Sequence, residues 1–162
     1  MWALRLYRFI AFIAGPFLLL SLAARARRGR ENSAHLAERR GVTQATRPKG
    51  RLIWFHAASV GETNSILPLI ADIFAADTDI NILLTTGTTT SAERVAMAQN
   101  SQTPKLIHQF APLDRRAWAA KFLDHWRPDM AGWVESEIWP NMVLACAERD
   151  IPLVMINGRL DP

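Results

Sequence analysis

Three glutamate side chains follow predicted strands at positions where they could take part in acid–base chemistry. Glu62 ends the tetrapeptide Ser59-Val60-Gly61-Glu62, while Glu135 and Glu137 belong to the segment Glu135-Ser136-Glu137. A positioned carboxylate can accept a proton from a hydroxyl group, or it can stabilise positive charge that develops on a sugar carbon. No His/Cys cluster with metal-ligand spacing accompanies these carboxylates. The pattern therefore favours proton transfer or charge stabilisation over metal chemistry.

The tetrapeptide that contains Glu62 also fits a structural role at the start of a helix. Ser59 and Glu62 have the spacing of a capping box, in which each side chain satisfies a free N–H group near the first helical turn. Capping boxes are more common than catalytic glutamates, so the tetrapeptide alone favours the structural interpretation. Gly61 supports the functional one, because a residue without a Cβ lets a ligand approach the backbone closely. Both interpretations remain open at this point.

A hydroxyl-rich run forms a further candidate binding segment. Thr86 and Thr88 lie in the run Thr86-Gly87-Thr88-Thr89-Thr90, which is predicted to lead from a strand into a helix. Hydroxyl groups and free N–H groups at a helix start suit a phosphate or a carboxylate group. Capping is again the alternative, because Thr90-x-x-Glu93 has the capping-box spacing.

A repeated strand-loop-helix pattern positions these residues. Short apolar runs bounded by turn residues alternate with segments of helical periodicity, which predicts a Rossmann-like parallel sheet with helices on both faces. The predicted strands are 52–57, 80–85, 105–109, 129–134 and 152–156, and the predicted helices are 63–74, 90–99, 114–126 and 138–149. The strand-to-helix loops of a parallel sheet emerge at one edge, where α/β proteins bind ligands. We therefore expect the candidate residues to share one rim: Glu62, Thr88, Glu135 and Arg159.

Several common site types are absent from the sequence. There is no G-x-G-x-x-G or G-x-x-x-x-G-K-[ST] motif, which argues against a dinucleotide site or a P-loop, and there is no G-x-S-x-G nucleophile elbow. The single cysteine, Cys146, excludes an internal disulfide, and its place in a predicted helix indicates a buried, inert thiol. The net charge of +4 comes from arginines crowded into the first third of the chain. Because these basic residues are not interleaved with aromatic residues across one face, nucleic-acid binding is disfavoured.

Residues 1–30 predict a membrane-anchor helix with a basic flank. Residues 9–24 are apolar apart from Ser21, and arginines crowd the positions that follow: Arg25, Arg27, Arg28 and Arg30. A dense group of arginines opposes translocation, so a cleaved signal peptide is disfavoured. We expect the helix to span the bilayer or to lie in its interface, with the globular part in the cytoplasm; a buried core helix is the alternative. Residues 31–50, which are polar and basic, are predicted to form a linker.

Five segments of the chain, in order, resemble the N-terminal half of the 3-deoxy-D-manno-octulosonic acid (Kdo) transferases, enzymes of lipopolysaccharide assembly. The segments are 55–63 (FHAASVGET), 85–94 (TTGTTTSAER), 112–114 (PLD), 135–141 (ESEIWPN) and 157–160 (NGRL). The S-V-G-E and E-x-E-x-W-P patterns are the most specific of these. The likeness runs from the N-terminal anchor to Pro162.

This resemblance implies a two-domain glycosyltransferase of the GT-B type, which inverts configuration and needs neither a metal ion nor another cofactor. Its N-terminal domain, here residues 51–162, would bind the lipid A precursor at the cytoplasmic face of the inner membrane. A C-terminal domain would bind the donor substrate, CMP-Kdo. Because the 162 residues do not include that domain, we expect the chain to be part of a longer enzyme and to be inactive alone.

The resemblance also implies roles for individual residues. Glu62 matches the general base that removes a proton from the acceptor hydroxyl, and Glu135 matches the position that stabilises the transition state. Ser59 and Gly61 match the surrounding acceptor-site loop. Beyond the family match, three residues are candidates to meet the phosphates of the acceptor: Thr86, Thr88 and Arg159. Two alternatives remain, namely a non-catalytic membrane-attached module that binds anionic lipids and a glycosyltransferase that uses another sugar nucleotide.

Overall fold

The computed structural model describes residues 2–28, 35–99, 103–135 and 139–156. Its strands are β1 (Leu52–Ala57), β2 (Asn81–Thr86), β3 (Leu106–Phe110), β4 (Met130–Val134) and β5 (Leu153–Ile156). Its helices are α1 (Trp2–Arg27), α2 (Val60–Ala76), α3 (Thr89–Ala98), α4 (Arg116–Trp126) and α5 (Pro140–Ala147), and Glu38–Arg40 forms a 3-10 turn. The strand boundaries agree with those predicted from the sequence to within one residue.

The strands form one parallel sheet in the order β3-β2-β1-β4-β5. The strand β1 is therefore central, with β2 on one side and β4 on the other. Near the carboxyl end of β1, Ala57 lies opposite Thr86 of β2, and His56 lies opposite Trp133 of β4. The predicted Rossmann-like fold is confirmed, and this architecture corresponds to one half of a GT-B fold.

Helices cover both faces of the sheet, because its central strands carry apolar side chains on both sides. On one face, Ile66, Ile70 and Phe74 of α2 form a stripe at four-residue spacing that packs with α3 against the sheet. On the opposite face, α4 and α5 pack over Trp54 and Trp133, whose rings lie 5.0 Å apart. The sheet is packed between these two hydrophobic clusters, which fixes the position of its carboxyl edge.

The apolar helix α1 exposes most of its surface. Phe9, Phe17 and Leu20 are each at least 61% exposed. The segment Leu4–Arg27 has the length and composition to cross a membrane, and only 6% of its apolar window is buried. These properties agree with the N-terminal apolar helix predicted from the sequence.

One side of α1 contacts the α/β domain. The guanidinium of Arg115 lies 4.5 Å from the centre of the Phe12 ring. Gly15 faces the Trp118 ring, which a Cβ at this position would approach to 3.1 Å. A small residue at position 15 therefore allows the helix to lie close to α4.

Part of the segment that was predicted to be a linker also packs on the domain. Arg47 donates a hydrogen bond from Nε to the carbonyl oxygen of Trp126 at 2.7 Å. Glu38 Oε2 accepts one from Phe110 N, also at 2.7 Å. These bonds attach residues 35–50 to the end of α4 and to the end of β3.

Cys146 lies in α5 and is buried in the core. Burial raises the pKa of its thiol to about 11. The predicted buried position of this thiol is confirmed, and the thiol stays protonated at neutral pH.

Candidate active site

From β1 the chain adds β2 and β3 on one side of the sheet and then β4 and β5 on the other side, so the strand order reverses between β1 and β4. This reversal creates a crevice at the carboxyl edge of the sheet. After β1 the chain enters α2 on one face, whereas after β4 it enters α5 on the opposite face. Proteins with open α/β sheets bind ligands in the crevice that such divergence creates. Glu62 lies in the first turn of α2, and Glu135 directly follows β4. The two predicted catalytic carboxylates therefore belong to the two segments that border this crevice.

Hydrogen bonds hold Glu62 at the start of α2. Its Oε2 accepts a bond from Ala58 N at 2.6 Å, and its Oε1 accepts one from Ser59 Oγ at 3.0 Å. Ser59 is the N-cap, and its Oγ accepts a bond from Glu62 N at 3.2 Å. The capping interpretation is thus confirmed. The two accepted hydrogen bonds leave other lone pairs of the Glu62 carboxylate available, because a carboxylate has about four lone-pair sites for hydrogen bonds. With an exposed fraction of only 8%, Glu62 is buried.

Packing against the described residues does not require a glycine at position 61. A Cβ at this position would have Ser59 Oγ as its nearest neighbour, at 3.8 Å. Glycine inside a helix costs about 0.5–1 kcal/mol relative to alanine. No packing contact with the described residues offsets this cost. A close approach of a ligand to the backbone is a physical reason for glycine here.

The loops that follow β1 and β2 touch at Gly87. A Cβ on Gly87 would lie 2.6 Å from the carbonyl oxygen of Ala58, which is closer than van der Waals contact permits. Ala58 is also the residue whose N–H group binds Glu62. The absence of a side chain at position 87 therefore lets the loop that carries Thr88 lie directly against the loop that positions Glu62.

Thr88, and not Thr90, caps α3. Thr88 Oγ1 accepts a hydrogen bond from Ser91 N at 3.1 Å, and the helix begins at the next residue. The predicted capping box of Thr90 and Glu93 is wrong, because β2 runs to residue 86 and leaves only two residues before the helix. Thr88 has the extended backbone that an N-cap needs, with φ −128° and ψ 156°.

The other residues predicted to meet acceptor phosphates have different surroundings. Thr86 is buried, and its Oγ1 lies 2.9 Å from His108 Nε2, so its hydroxyl is engaged inside the protein. Burial lowers the pKa of His108 to about 4, which keeps this imidazole neutral at pH 7. Arg159 lies outside the described residues, as do Ser136 and Glu137. Contacts of Thr86 and Arg159 with an acceptor stay predictions.

Glu135 has a backbone conformation that side chains rarely adopt. Its φ is 62°, in the left-handed region, which costs a residue other than glycine roughly 1–2 kcal/mol. Its N–H group donates to the carbonyl oxygen of Ile156 at 2.8 Å and continues the pairing of β4 with β5. Arg127 and Asp150 share a positive φ at turns. Glu135 differs from them because its strain lies at the crevice, where such conformations often accompany function.

Arg39, which the sequence did not single out, holds two of the rim loops. Its Nη2 donates to the carbonyl oxygen of Gly87 at 2.7 Å, and its Nη1 donates to that of Ala111 at 3.3 Å. Its guanidinium also lies 4.6 Å from the centre of the Phe110 ring. The composition around Arg39 indicated a solvated basic linker. The burial of Arg39 arises from contacts with residues far away in the sequence, so no local sequence pattern could have shown it.

His56 is a second residue whose importance the sequence did not show. It is buried, its Nδ1 lies 3.0 Å from Thr85 Oγ1, and burial lowers its pKa to about 4. Its ring centre lies 4.6 Å from that of Trp139, the residue before α5. His56 therefore joins the end of β1 to the start of α5. The signal available in the sequence was that His56 is a single polar residue within an otherwise apolar strand.

The described residues offer a place for an anionic group but no group of three or more His, Cys, Asp or Glu side chains for a metal ion. A pocket of about 380 Å³ opens beside the start of α3. It is lined by side chains of α1, by the rim loop after β2 and by neighbouring residues: Leu22, Arg25, Arg39, Gly87, Thr88, Thr89, Thr90 and Leu113. Two arginines and a helix N-terminus give this pocket a positive potential.

Comparison with known proteins identifies the family of this chain. Residues 34–162 match the family model for 3-deoxy-D-manno-octulosonic-acid transferase. A probable mitochondrial 3-deoxy-D-manno-octulosonic acid transferase of Arabidopsis thaliana is 38% identical over 156 residues, covering 96% of this chain and 34% of that protein. The transferase of Rickettsia bellii is 31% identical over 158 residues, covering 97% and 37%. That of Haemophilus influenzae is 30% identical over 155 residues, covering 95% and 36%.

The chain spans about a third of the length of these curated relatives. The matched range includes both sides of the crevice, from the loop of Glu62 to the segment that follows β4. The resemblance predicted from the five segments is thereby confirmed. The chain belongs to the 3-deoxy-D-manno-octulosonic acid (Kdo) transferase family.

Proposed function

We propose that this chain forms the acceptor-binding part of an enzyme that transfers Kdo from CMP-Kdo to the lipid A precursor at the cytoplasmic face of the inner membrane. The placement of Glu62 in a chain of this family carries the proposal. Ala58 and Ser59 fix its carboxylate beside the crevice. The preceding residue is a glycine that packing against the described residues does not require.

In the proposed reaction, Glu62 accepts the proton of an acceptor hydroxyl while the hydroxyl oxygen attacks the anomeric carbon of Kdo. The bond between that carbon and the phosphate oxygen of CMP breaks, and CMP leaves with the bonding electrons. Attack from the side opposite the leaving group inverts the configuration. A positioned base contributes typically about 10²–10⁴-fold to such a rate. The hydrogen bonds from Ala58 and Ser59 keep Glu62 in a fixed place for this task.

Glu135 stabilises the positive charge that develops on the anomeric carbon during transfer. It follows β4, the strand beside β1, so it borders the crevice from the side opposite Glu62. A separate C-terminal domain would present CMP-Kdo to this crevice. The proposed steps use no metal ion and no cofactor.

The pocket beside α3 would bind a phosphate group of the acceptor. Arg25 lines this pocket from the end of α1, and Thr88 lines it at the start of α3. A helix N-terminus attracts anions through its free N–H groups. The exposed apolar side of α1 would rest in the bilayer, and its terminal arginines would contact anionic headgroups, at about 1 kcal/mol for each arginine. The lipid acceptor could then reach the crevice without leaving the membrane.

A conservative substitution tests the role of Glu62. In the protein made from the complete coding sequence, Glu62→Gln keeps a carbonyl oxygen that can accept from Ala58 N but removes the base. Transfer of Kdo from CMP-Kdo to the lipid A precursor should fall by about 10²–10⁴-fold, while the melting temperature changes little. Glu93→Gln is the matched control, because Glu93 is an exposed glutamate in the neighbouring helix α3. It should leave transfer unchanged.

The outcomes separate the alternatives. Near-normal transfer by the Glu62→Gln variant would mean that this glutamate only caps α2. A wild-type protein that binds anionic vesicles but transfers no sugar would be the non-catalytic lipid-binding module. Transfer from a UDP- or GDP-sugar, without transfer from CMP-Kdo, would assign a different donor.

A further inference from the structure

Among the described residues, no side chain from the sequence next to α5 caps the start of this helix. Trp139 occupies the N-cap position but makes no capping hydrogen bond through its side chain, and Pro140 has no N–H group. The next two N–H groups, those of Asn141 and Met142, donate instead to the carboxylate of Asp114, at 3.1 and 2.9 Å. The side-chain amide of Asn141 also donates to the carbonyl oxygen of Asp114 at 2.8 Å. Asp114 therefore caps α5 from the loop after β3.

The same carboxylate binds the apolar helix α1. Tyr7 Oη donates to Asp114 Oδ2 at 2.6 Å, and this oxygen also accepts the bond from Asn141 N. Hydrogen bonds to a charged acceptor are short and roughly twice as strong as those between neutral groups. The contact of Arg115 with Phe12 holds α1 against the same loop. Asp114 thus joins α1, the loop after β3 and the start of α5.

The start of α5 lies close in sequence to Glu135. Only residues 136–139 separate Glu135 from Pro140. On its other side, Glu135 is held in the sheet by the bond from its N–H group to Ile156. Glu135 itself is therefore held by the sheet, and the helix that begins five positions later is held by the Asp114 cap.

We propose that Asp114 is a positioning residue for the transfer reaction. It holds the start of α5 so that Glu135 stays at the crevice, and through Tyr7 it makes this placement depend on the seating of α1. The inference rests on the function proposed above for Glu135. This role is one of placement, because the carboxylate oxygens of Asp114 accept bonds from Tyr7, Asn141 and Met142, which belong to the elements that it joins.

Steady-state kinetics on the protein made from the complete coding sequence test the proposal. Asp114→Asn keeps the size of the side chain but replaces an acceptor oxygen with an amide that faces N–H groups. A displacement near 1 Å at a reacting group can cost about 10²-fold. On the same scale, kcat should fall by about 10–100-fold, with the KM values for CMP-Kdo and the lipid acceptor changed by less than about threefold. In hydrogen-exchange mass spectrometry, the amides at the start of α5 should lose protection.

A double variant distinguishes positioning from a general loss of structure. If Asp114 acts through Glu135, then Asp114→Asn should lower kcat little further in a protein that already carries Glu135→Gln. Losses that multiply would overturn the proposal, and so would a normal kcat for Asp114→Asn together with lost protection of α5.

Tyr7→Phe tests the link to α1 and serves if Asp114→Asn fails to fold. This variant leaves the bonds between Asp114 and α5 in place, and it should show a smaller loss of kcat than Asp114→Asn. Its control is Glu148→Gln, which removes a different contact of α1, the 3.9 Å ion pair between Arg8 and Glu148. The control should keep the wild-type kcat. Equal rates for Tyr7→Phe and the control would refute the link. A wild-type protein that transfers no Kdo would instead refute the proposed function. The hydrogen-exchange measurement would still test the cap formed by Asp114, because that measurement does not require transfer activity.

Discussion

The backbone N–H group of Ala58 donates a 2.6 Å hydrogen bond to Oε2 of Glu62. This bond makes the candidate base part of the local fold, because it ties the residue before the N-cap to the first turn of α2. A substitution that removes the acceptor oxygens of Glu62, such as Glu62→Ala, therefore changes helix capping and chemistry together, whereas Glu62→Gln keeps an acceptor for the cap. Variants at neighbouring positions can change one of these properties without the other.

Gly61→Ala should raise stability and lower transfer. Alanine in a helix is favoured over glycine by about 0.5–1 kcal/mol, and the nearest described atom outside the helix backbone and the chain neighbours would lie 3.8 Å from the added methyl group. The same methyl group would obstruct an acceptor that approaches the backbone. Urea denaturation and initial transfer rates check the two effects. Ser65→Ala, one turn further along α2, is the control and should leave transfer unchanged. Stabilisation with unchanged transfer would show that no ligand approaches position 61.

Gly87→Ala should destabilise the domain and reduce transfer. The new methyl group would lie 2.6 Å from the carbonyl oxygen of Ala58, so the two rim loops must separate. Overpacking of this kind typically costs about 1–3 kcal/mol. Thermal unfolding measures the loss. Gly61→Ala is the matched control, since it adds the same group at the same rim in open space. A melting temperature equal to that of the wild type would contradict the close contact between the loops.

Acid should destabilise the domain through two buried histidines. Burial lowers the pKa values of His56 and His108 from 6.5 to about 4. Between these values the unfolded chain binds protons that the folded chain does not bind. This contribution to stability is therefore complete above pH 6.5 and is lost as the pH falls towards 4. Each histidine contributes a slope of up to about 1.4 kcal/mol per pH unit.

Urea denaturation at several pH values between 7 and 4.5 measures this slope, in a range set by the two lowered pKa values. His108→Gln should remove the contribution of one histidine and reduce the slope accordingly. An unchanged slope in this variant would show that His108 is not buried as a neutral group in the folded protein.

Local patterns were sufficient to predict the strands. β1 begins and ends at the predicted residues, because its apolar run is bounded by Gly50 and by the Ser/Gly cluster that follows. The order of the strands was not predictable in the same way. Each pairing depends on where a crossover helix returns the chain, and hydrophobic periodicity does not specify this.

The local part of the site was also predictable, whereas its long-range contacts were not. The cap formed by Ser59 and Glu62 joins residues three positions apart, so its spacing was visible in the sequence. The bond between Arg39 and Gly87 spans 48 positions. The bonds from α5 to Asp114 span 27 and 28 positions. Such contacts follow from the packing of the whole sheet and leave no periodic signal.

The buried position of Cys146 has a practical consequence for spectroscopy. It is the single cysteine of the chain, it lies in the core, and its thiol stays protonated at neutral pH. Residues 1–162 therefore carry no second cysteine, and the one that they have is shielded from labelling reagents. A cysteine introduced at Phe9 or at Leu20 would take a fluorescent or spin label at one chosen point on α1. Labels at these two positions would report how deeply each half of the helix lies in a bilayer.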